Sequence, residues 1–196
     1  LAKGVNRVEV LQKGGGKKQG KAVIVLPTKR LLLIGVDDTD NNIEGATYSL
    51  VHNIAQEVSN LYAVKYAIHV NAQLYPYNKH KTKNCFATVV GIIFSTDEEK
   101  QLVINYFETQ LRKNTLSNQT AMAVHEGFSF EQSFKELCIS TKFRFVEDVN
   151  ELIIQAHKNK VETFEITGKR GLIGAISSLV FFDNPEFAAK LPNQCT

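Results

Sequence analysis

Three carboxylates fall within four residues at Asp37-Asp38-Thr39-Asp40. Like charges this close raise one another's pKa unless a cation or hydrogen-bond donors compensate them. Mg2+ is the natural compensating partner, because it takes carboxylate oxygens and keeps positions for phosphate oxygens and water. Asp37, Asp38 and Asp40 are therefore the candidate metal ligands and catalytic carboxylates. Just beyond, Glu44-Gly45-Ala46-Thr47 opens a stretch of helical periodicity. A helix N-terminus offers free N–H groups and the positive end of its dipole to an anion. Thr47 then carries a hydroxyl placed to touch or accept a phosphoryl group. The plain alternative is a polar turn in which Asp40 or Asn41 caps the helix and Thr47 is an ordinary N-cap or first-turn residue.

A second candidate lies far along the chain, in Gly168-Lys169-Arg170-Gly171-Leu172-Ile173-Gly174. Glycines three apart permit tight turns and close approach of a ligand, and Lys169 and Arg170 add positive charge beside a helix start, which together suit a phosphate. Such a loop is also a common strand–helix connection. A third stretch, residues 74–84, mixes Tyr75, Tyr77 and His80 with three lysines and two asparagines, a combination suited to stacking on a base and holding a phosphate backbone. An exposed loop is the plain alternative there. Residues 15–21 fit the first seven positions of a P-loop, but Ala22 stands where Ser or Thr is required, and the β-branched run 22–26 ending in Pro27 predicts a strand rather than a helix. That match is rejected in favour of a basic hairpin whose lysines are free to meet phosphates.

These residues need elements to position them. Residues 5–11 and 22–26 read as two strands around a Gly/Lys turn. Residues 31–36 form a continuous apolar run, the pattern of a strand buried on both faces, which delivers the aspartates at its C-terminal end. Strands are expected at 64–72, 85–94, 121–125 and 161–167. Helices are expected at 46–58, 97–112, 130–139, 147–158 and 171–179, the second with Leu102, Val103, Tyr106, Phe107 and Leu111 on one face. The alternation predicts an α+β protein with α/β-like layers. The expected division is a basic N-terminal hairpin at 1–30, a first ATP/Mg-binding part at 31–95 and a part with the glycine loop at 96–196.

Composition sets the bounds. With 196 residues, 43% of them hydrophobic, the chain is long enough to bury a core. The net charge of +3 is a mild bias compatible with a nucleotide or RNA partner, with the basic residues crowded at the N-terminal end. No apolar run reaches the roughly 18 residues of a membrane span. Cys85, Cys138 and Cys195 are scattered and odd in number, which predicts reduced thiols and a cytoplasmic setting. The scattered histidines have no carboxylate or cysteine at zinc-ligand spacing.

Taken in order, these motifs resemble the catalytic region of the archaeal tRNA-isoleucine agmatinylcytidine synthetases and the related methanogenesis marker protein 11. The Asp37-Asp38-Thr39-Asp40 turn with Gly45 and Thr47 is similar to the family's acidic motif. Gly168, Arg170, Gly171, Ile173, Gly174 and Ala175 are similar to its late glycine motif, and Pro76 with Lys81-Thr82-Lys83-Asn84 matches its middle motif loosely. The resemblance spans residues 33–182. It implies a kinase-like catalytic domain joined to a ferredoxin-like subdomain, Mg2+ on the three aspartates and Thr47 as phospho-acceptor. It places ATP over Gly45, Gly168, Lys169, Arg170, Gly171 and Gly174, and substrate contacts at Lys81, Thr82 and Asn84. The expected activity is ATP- and Mg2+-dependent phosphoryl or nucleotidyl transfer of the kinase or synthetase type. A nucleotide- or RNA-binding module without turnover is the alternative. The family's Cys-Thr-Thr reads Ala46-Thr47-Tyr48 here, and its tRNA-gripping OB domain and zinc ribbon have no counterpart in this sequence.

Overall fold

The structure is a computed structural model that describes residues 4–82 and 84–194, so Lys83 and Cys195 lie outside the described residues. Two strands, β1 (Arg7–Gln12) and β2 (Lys21–Val25), pair antiparallel as a sheet of their own. Lys21 begins a strand, which agrees with rejecting the P-loop. The body is a five-stranded sheet of β3 (Arg30–Asp37), β4 (Lys65–Gln73), β5 (Phe86–Phe94), β6 (Ala121–Glu126) and β7 (Val161–Glu165), in the order β4-β5-β3-β6-β7. Every neighbouring pair is antiparallel.

The apolar run expected to be buried on both faces is the central strand β3. Its side chains alternate strictly. Leu31 and Leu33 enter one hydrophobic cluster, and Leu32, Ile34 and Val36 enter the other. The second cluster is closed by α1 (Thr47–Leu61) and α2 (Asp97–Asn114). In α1, Val51, Ile54, Ala55 and Val58 recur at helical spacing and are buried. The start of α2 is fixed by a capping box, in which Thr96 Oγ1 accepts from Glu99 N–H and the Glu99 carboxylate accepts from Thr96 N–H. Its buried stripe is Val103, Ile104, Phe107 and Leu111, while Leu102 faces outward. Val103, Phe107 and Leu111 of the expected face are thus buried and Tyr106 packs partly against the cluster, whereas Ile104 takes the buried place expected for Leu102.

The opposite face is covered by α3 (Gln132–Ser140), α4 (Asn150–Lys158), α5 (Leu172–Ser178) and α6 (Pro185–Ala189). Gly35 lets α5 lie directly on β3, because a Cβ there would overlap the carbonyl oxygen of Ala175. The result is a mixed α/β layer structure with helices on both faces of an antiparallel sheet.

The antiparallel order decides which loops meet. The C-terminal ends of β3, β4 and β7 lie at the same edge of the sheet as the N-terminal starts of β5 and β6. Loops 38–46, 74–85, 115–120 and 166–171 therefore converge there, and the hairpin is attached at the other end of β3. No described helix is long and apolar enough to cross a membrane.

Candidate functional site

At the converging edge lies a cavity of about 330 Å³, within the range of small-ligand sites. Its acidic side is the turn after β3. Asp37 is half-buried at the cavity wall and its Oδ1 accepts from Asp38 N–H at 2.8 Å. Burial first, and then the neighbouring Asp38 carboxylate, push its pKa well above the usual range. Asp38 takes a left-handed backbone with φ of 62°, sparsely populated for a non-glycine residue. That geometry turns its carboxylate toward Arg170, which donates from Nη2 to Oδ2 at 3.1 Å across 132 residues of sequence. Asp40 Oδ1 accepts from Thr82 Oγ1 at 3.0 Å, fastening the 74–85 loop to the acidic turn.

Thr39 is turned inward and is buried. Both its N–H and its Oγ1 donate to Thr47 Oγ1, at 3.3 and 3.0 Å. The Thr47 oxygen thus accepts twice, so its own hydrogen is directed elsewhere, and Thr47 lines the cavity. The cap of α1 is Ala46, which has no side chain to cap with, and the first turn holds no acidic residue. Asn41 closes its own turn instead, accepting from the N–H groups of Ile43 and Glu44. The plain alternative, in which Asp40 or Asn41 caps this helix, does not hold. Gly45, at φ of 88°, supplies the turn before the helix.

The late glycine segment splits between two roles. Gly174 presses against Asp37, and a Cβ there would overlap the carboxylate. Arg170, Ile173 and Gly174 line the cavity. Gly168, Lys169 and Gly171 do not. Gly168 and Gly171 pack on the backbone of the 115–120 loop, where a Cβ would overlap the carbonyl oxygens of Asn118 and Gln119. Lys169 reaches away to Asn150 Oδ1 at 2.7 Å. From the middle segment Lys81, Thr82 and Asn84 all line the cavity, with Lys81 Nζ donating to Pro76 O at 3.0 Å.

Several lining residues carried no motif. Asn71 and Thr88 form part of the floor, cross-strand partners on β4 and β5 joined by a Thr88 Oγ1 to Asn71 Oδ1 bond of 2.9 Å. Arg144 and Phe145 also line the cavity. The base–aromatic alternation Lys142-Phe143-Arg144-Phe145 is the sequence signal that marks them. Cys85, also in the lining, is a free thiol whose pKa is raised by burial, and Cys138 is buried and free.

Among the described residues no group of three His, Cys, Asp or Glu side chains converges as a ready metal site. The three aspartates adjoin one cavity without forming a closed cage.

No protein-family model matches the chain. It is 36% identical over 191 residues to an uncharacterised protein of Methanocaldococcus jannaschii, covering 97% of this chain and 63% of that protein's length. Among solved structures the fold is similar to TiaS in complex with an isoleucine tRNA and ATP, with a TM-score of 0.64 and 17% identity over 77% of this chain. A tRNA fluorescent labeling enzyme matches with a TM-score of 0.64 and 17% identity, and apo TiaS, a tRNA agmatidine synthetase, with 0.62 and 15%, each over 76% of this chain. The chain spans 36%, 36% and 35% of these three structures. At such identity the likeness is one of fold.

Proposed function

We propose that this chain carries an ATP- and Mg2+-dependent site for phosphoryl or nucleotidyl transfer, the catalytic part of a synthetase-type enzyme with an RNA acceptor. The observation that carries the reading is the convergence, in one cavity, of an acidic turn, an uncapped helix N-terminus and an arginine from 132 residues away. Each of these suits one part of a metal-bound triphosphate. The fold likeness to structures that hold tRNA and ATP supports it.

The residues fit the two groups. A half-buried carboxyl beside two other carboxylates, with its pKa raised, is a site short of positive charge. Mg2+ ordinarily takes one or two carboxylates together with substrate phosphates, so the open arrangement of Asp37, Asp38 and Asp40 suits it better than a closed cage would. When bound, the metal neutralises charge that develops on the transferring phosphoryl group. The chain's own groups do the rest. The first-turn N–H groups of α1 and the Arg170 guanidinium stabilise negative charge. Thr47, whose oxygen is occupied by Thr39, donates its hydroxyl hydrogen to a phosphate oxygen. Service as a phospho-acceptor would require the Thr39 hydrogen bonds to open first. Lys81, Asn84, Arg144 and Phe145 form the acceptor side of the cavity. In this reading residues 31–95 contribute the acidic turn of a kinase-like unit, and residues 96–196 contribute its ferredoxin-like part and glycine loop.

The test is Mg2+-dependent ATP turnover with ADP and AMP separated, for the wild type and for Asp38→Asn. Turnover in the wild type and a loss of at least 100-fold in the variant, about 2.7 kcal/mol at the transition state, is the expected result. Equal turnover in both rejects the assignment. Binding of ATP without turnover in the presence of RNA favours the non-catalytic binding module.

A further inference from the structure

The β1–β2 hairpin takes no part in the nucleotide cavity, and its construction is unusual. Its two strands form a sheet of their own, and every residue of β1 is exposed. The pairing register puts Val8 opposite Ile24 and Val10 opposite Ala22, so one face is aliphatic and open to solvent. An isolated two-stranded ribbon is marginal in water by itself. At its far end Gly15 and Gly16 take positive φ in a turn that brings Lys13, Lys17, Lys18 and Lys21 together.

Charge says what the ribbon meets. Residues 4–29 hold six Lys and Arg against the single Glu9, a surplus of five, while the whole chain has a formal net charge of only +3. The remainder of the molecule is therefore net acidic. We propose that the hairpin is an arm that lays its lysine-rich end on the phosphate backbone of a polynucleotide, with the aliphatic face against sugars and base edges. Two-stranded ribbons of this size enter nucleic-acid grooves, and clustered lysines gain affinity by releasing condensed counterions. The arm leaves the body at the N-terminal end of β3, the length of that strand from Asp37, roughly 25 Å at about 3.3 Å per residue. It is thus separate from the nucleotide cavity, and the proposal stands whether or not that cavity turns over ATP.

The experiment measures binding of a fluorescent RNA stem-loop, and of the DNA stem-loop of the same sequence, over a KCl series without ATP. The wild type is compared with the combined Lys13→Gln, Lys17→Gln, Lys18→Gln and Lys21→Gln variant, with thermal melting as the check that the body is intact. The expected result is salt-sensitive binding whose slope of log affinity against log salt falls by about 3 in the variant, at roughly 0.7–0.9 for each phosphate no longer neutralised. Tighter binding to RNA than to DNA assigns the arm to RNA, and equal binding assigns it to the phosphate backbone alone. Protection of Lys17 and Lys18 from acetylation by bound RNA reads the same interaction in the unaltered protein. Failure of the wild type to bind either probe, or an unchanged slope, overturns the proposal. So does self-association of the wild type that Val10→Ser with Ile24→Ser abolishes, which makes the ribbon a protein interface.

Discussion

Asp37 is the residue on which folding and chemistry pull in opposite directions. Its carboxyl is half-buried beside Asp38, and desolvation first raises its pKa above the unfolded value of about 3.9. The native state therefore holds this proton more tightly than the unfolded chain does. Stability is fully present below the unfolded value and falls as pH rises through the native one. Replacing it by Asn removes the charge while keeping the shape. Asp37→Asn should raise the melting temperature at pH 7 in the absence of ATP and Mg2+. The gain should shrink as pH falls toward 4, and turnover should be lost. At about 2–4 °C per kcal/mol for a chain of this size, calorimetry at pH 4 and pH 7 resolves the effect, and an equal gain at both pH values contradicts it. The acidic turn was legible because three carboxylates together are costly. What no sequence reading gives is that Asp38 faces Arg170, because that pairing depends on a left-handed backbone at Asp38.

At the scale of elements, the strands and the longer helices were legible from periodicity, and β3 was found by its unbroken apolar run. Their order was not. Nothing in the periodicity tells that β3 sits between β5 and β6, with all neighbours antiparallel. The same gap explains the glycine segment. The sequence reading puts Gly168, Lys169, Arg170, Gly171 and Gly174 against a ligand, whereas the fold gives the cavity only Arg170, Ile173 and Gly174 from this segment and packs Gly168 and Gly171 on the 115–120 loop. Two glycines where α5 meets β3 separate structure from chemistry. Gly35→Ala drives a Cβ into the backbone carbonyl of Ala175, which no side-chain movement relieves. It should cost about 3 kcal/mol or more, at the upper end of overpacking. Gly174→Ala meets the Asp37 side chain from carboxylate to Cβ, rather than backbone. It should melt within a few degrees of the wild type yet lose ATP turnover. Similar melting temperatures for the two variants would contradict this account of how α5 is seated.

For the whole molecule, the alternation of strands and helices was enough to expect α/β-like layers, and the charge asymmetry between hairpin and body was present in the sequence as a count. The cavity was not, since it is lined by segments from residue 37 to residue 174 that only the folded sheet collects. The contrast between β1–β2 and β3 has a consequence in time as well as in space. Amide hydrogens of residues 31–36 lie in the middle of a sheet covered on both faces and are released to solvent only when the molecule unfolds as a whole. Those of the exposed ribbon need only local opening. In deuterium labelling, residues 7–25 should therefore exchange at the fast extreme of the chain and residues 31–36 at the slow extreme, with the change completed across the short stretch between them. The strand that ends in the aspartates is then the last part of the molecule to let go.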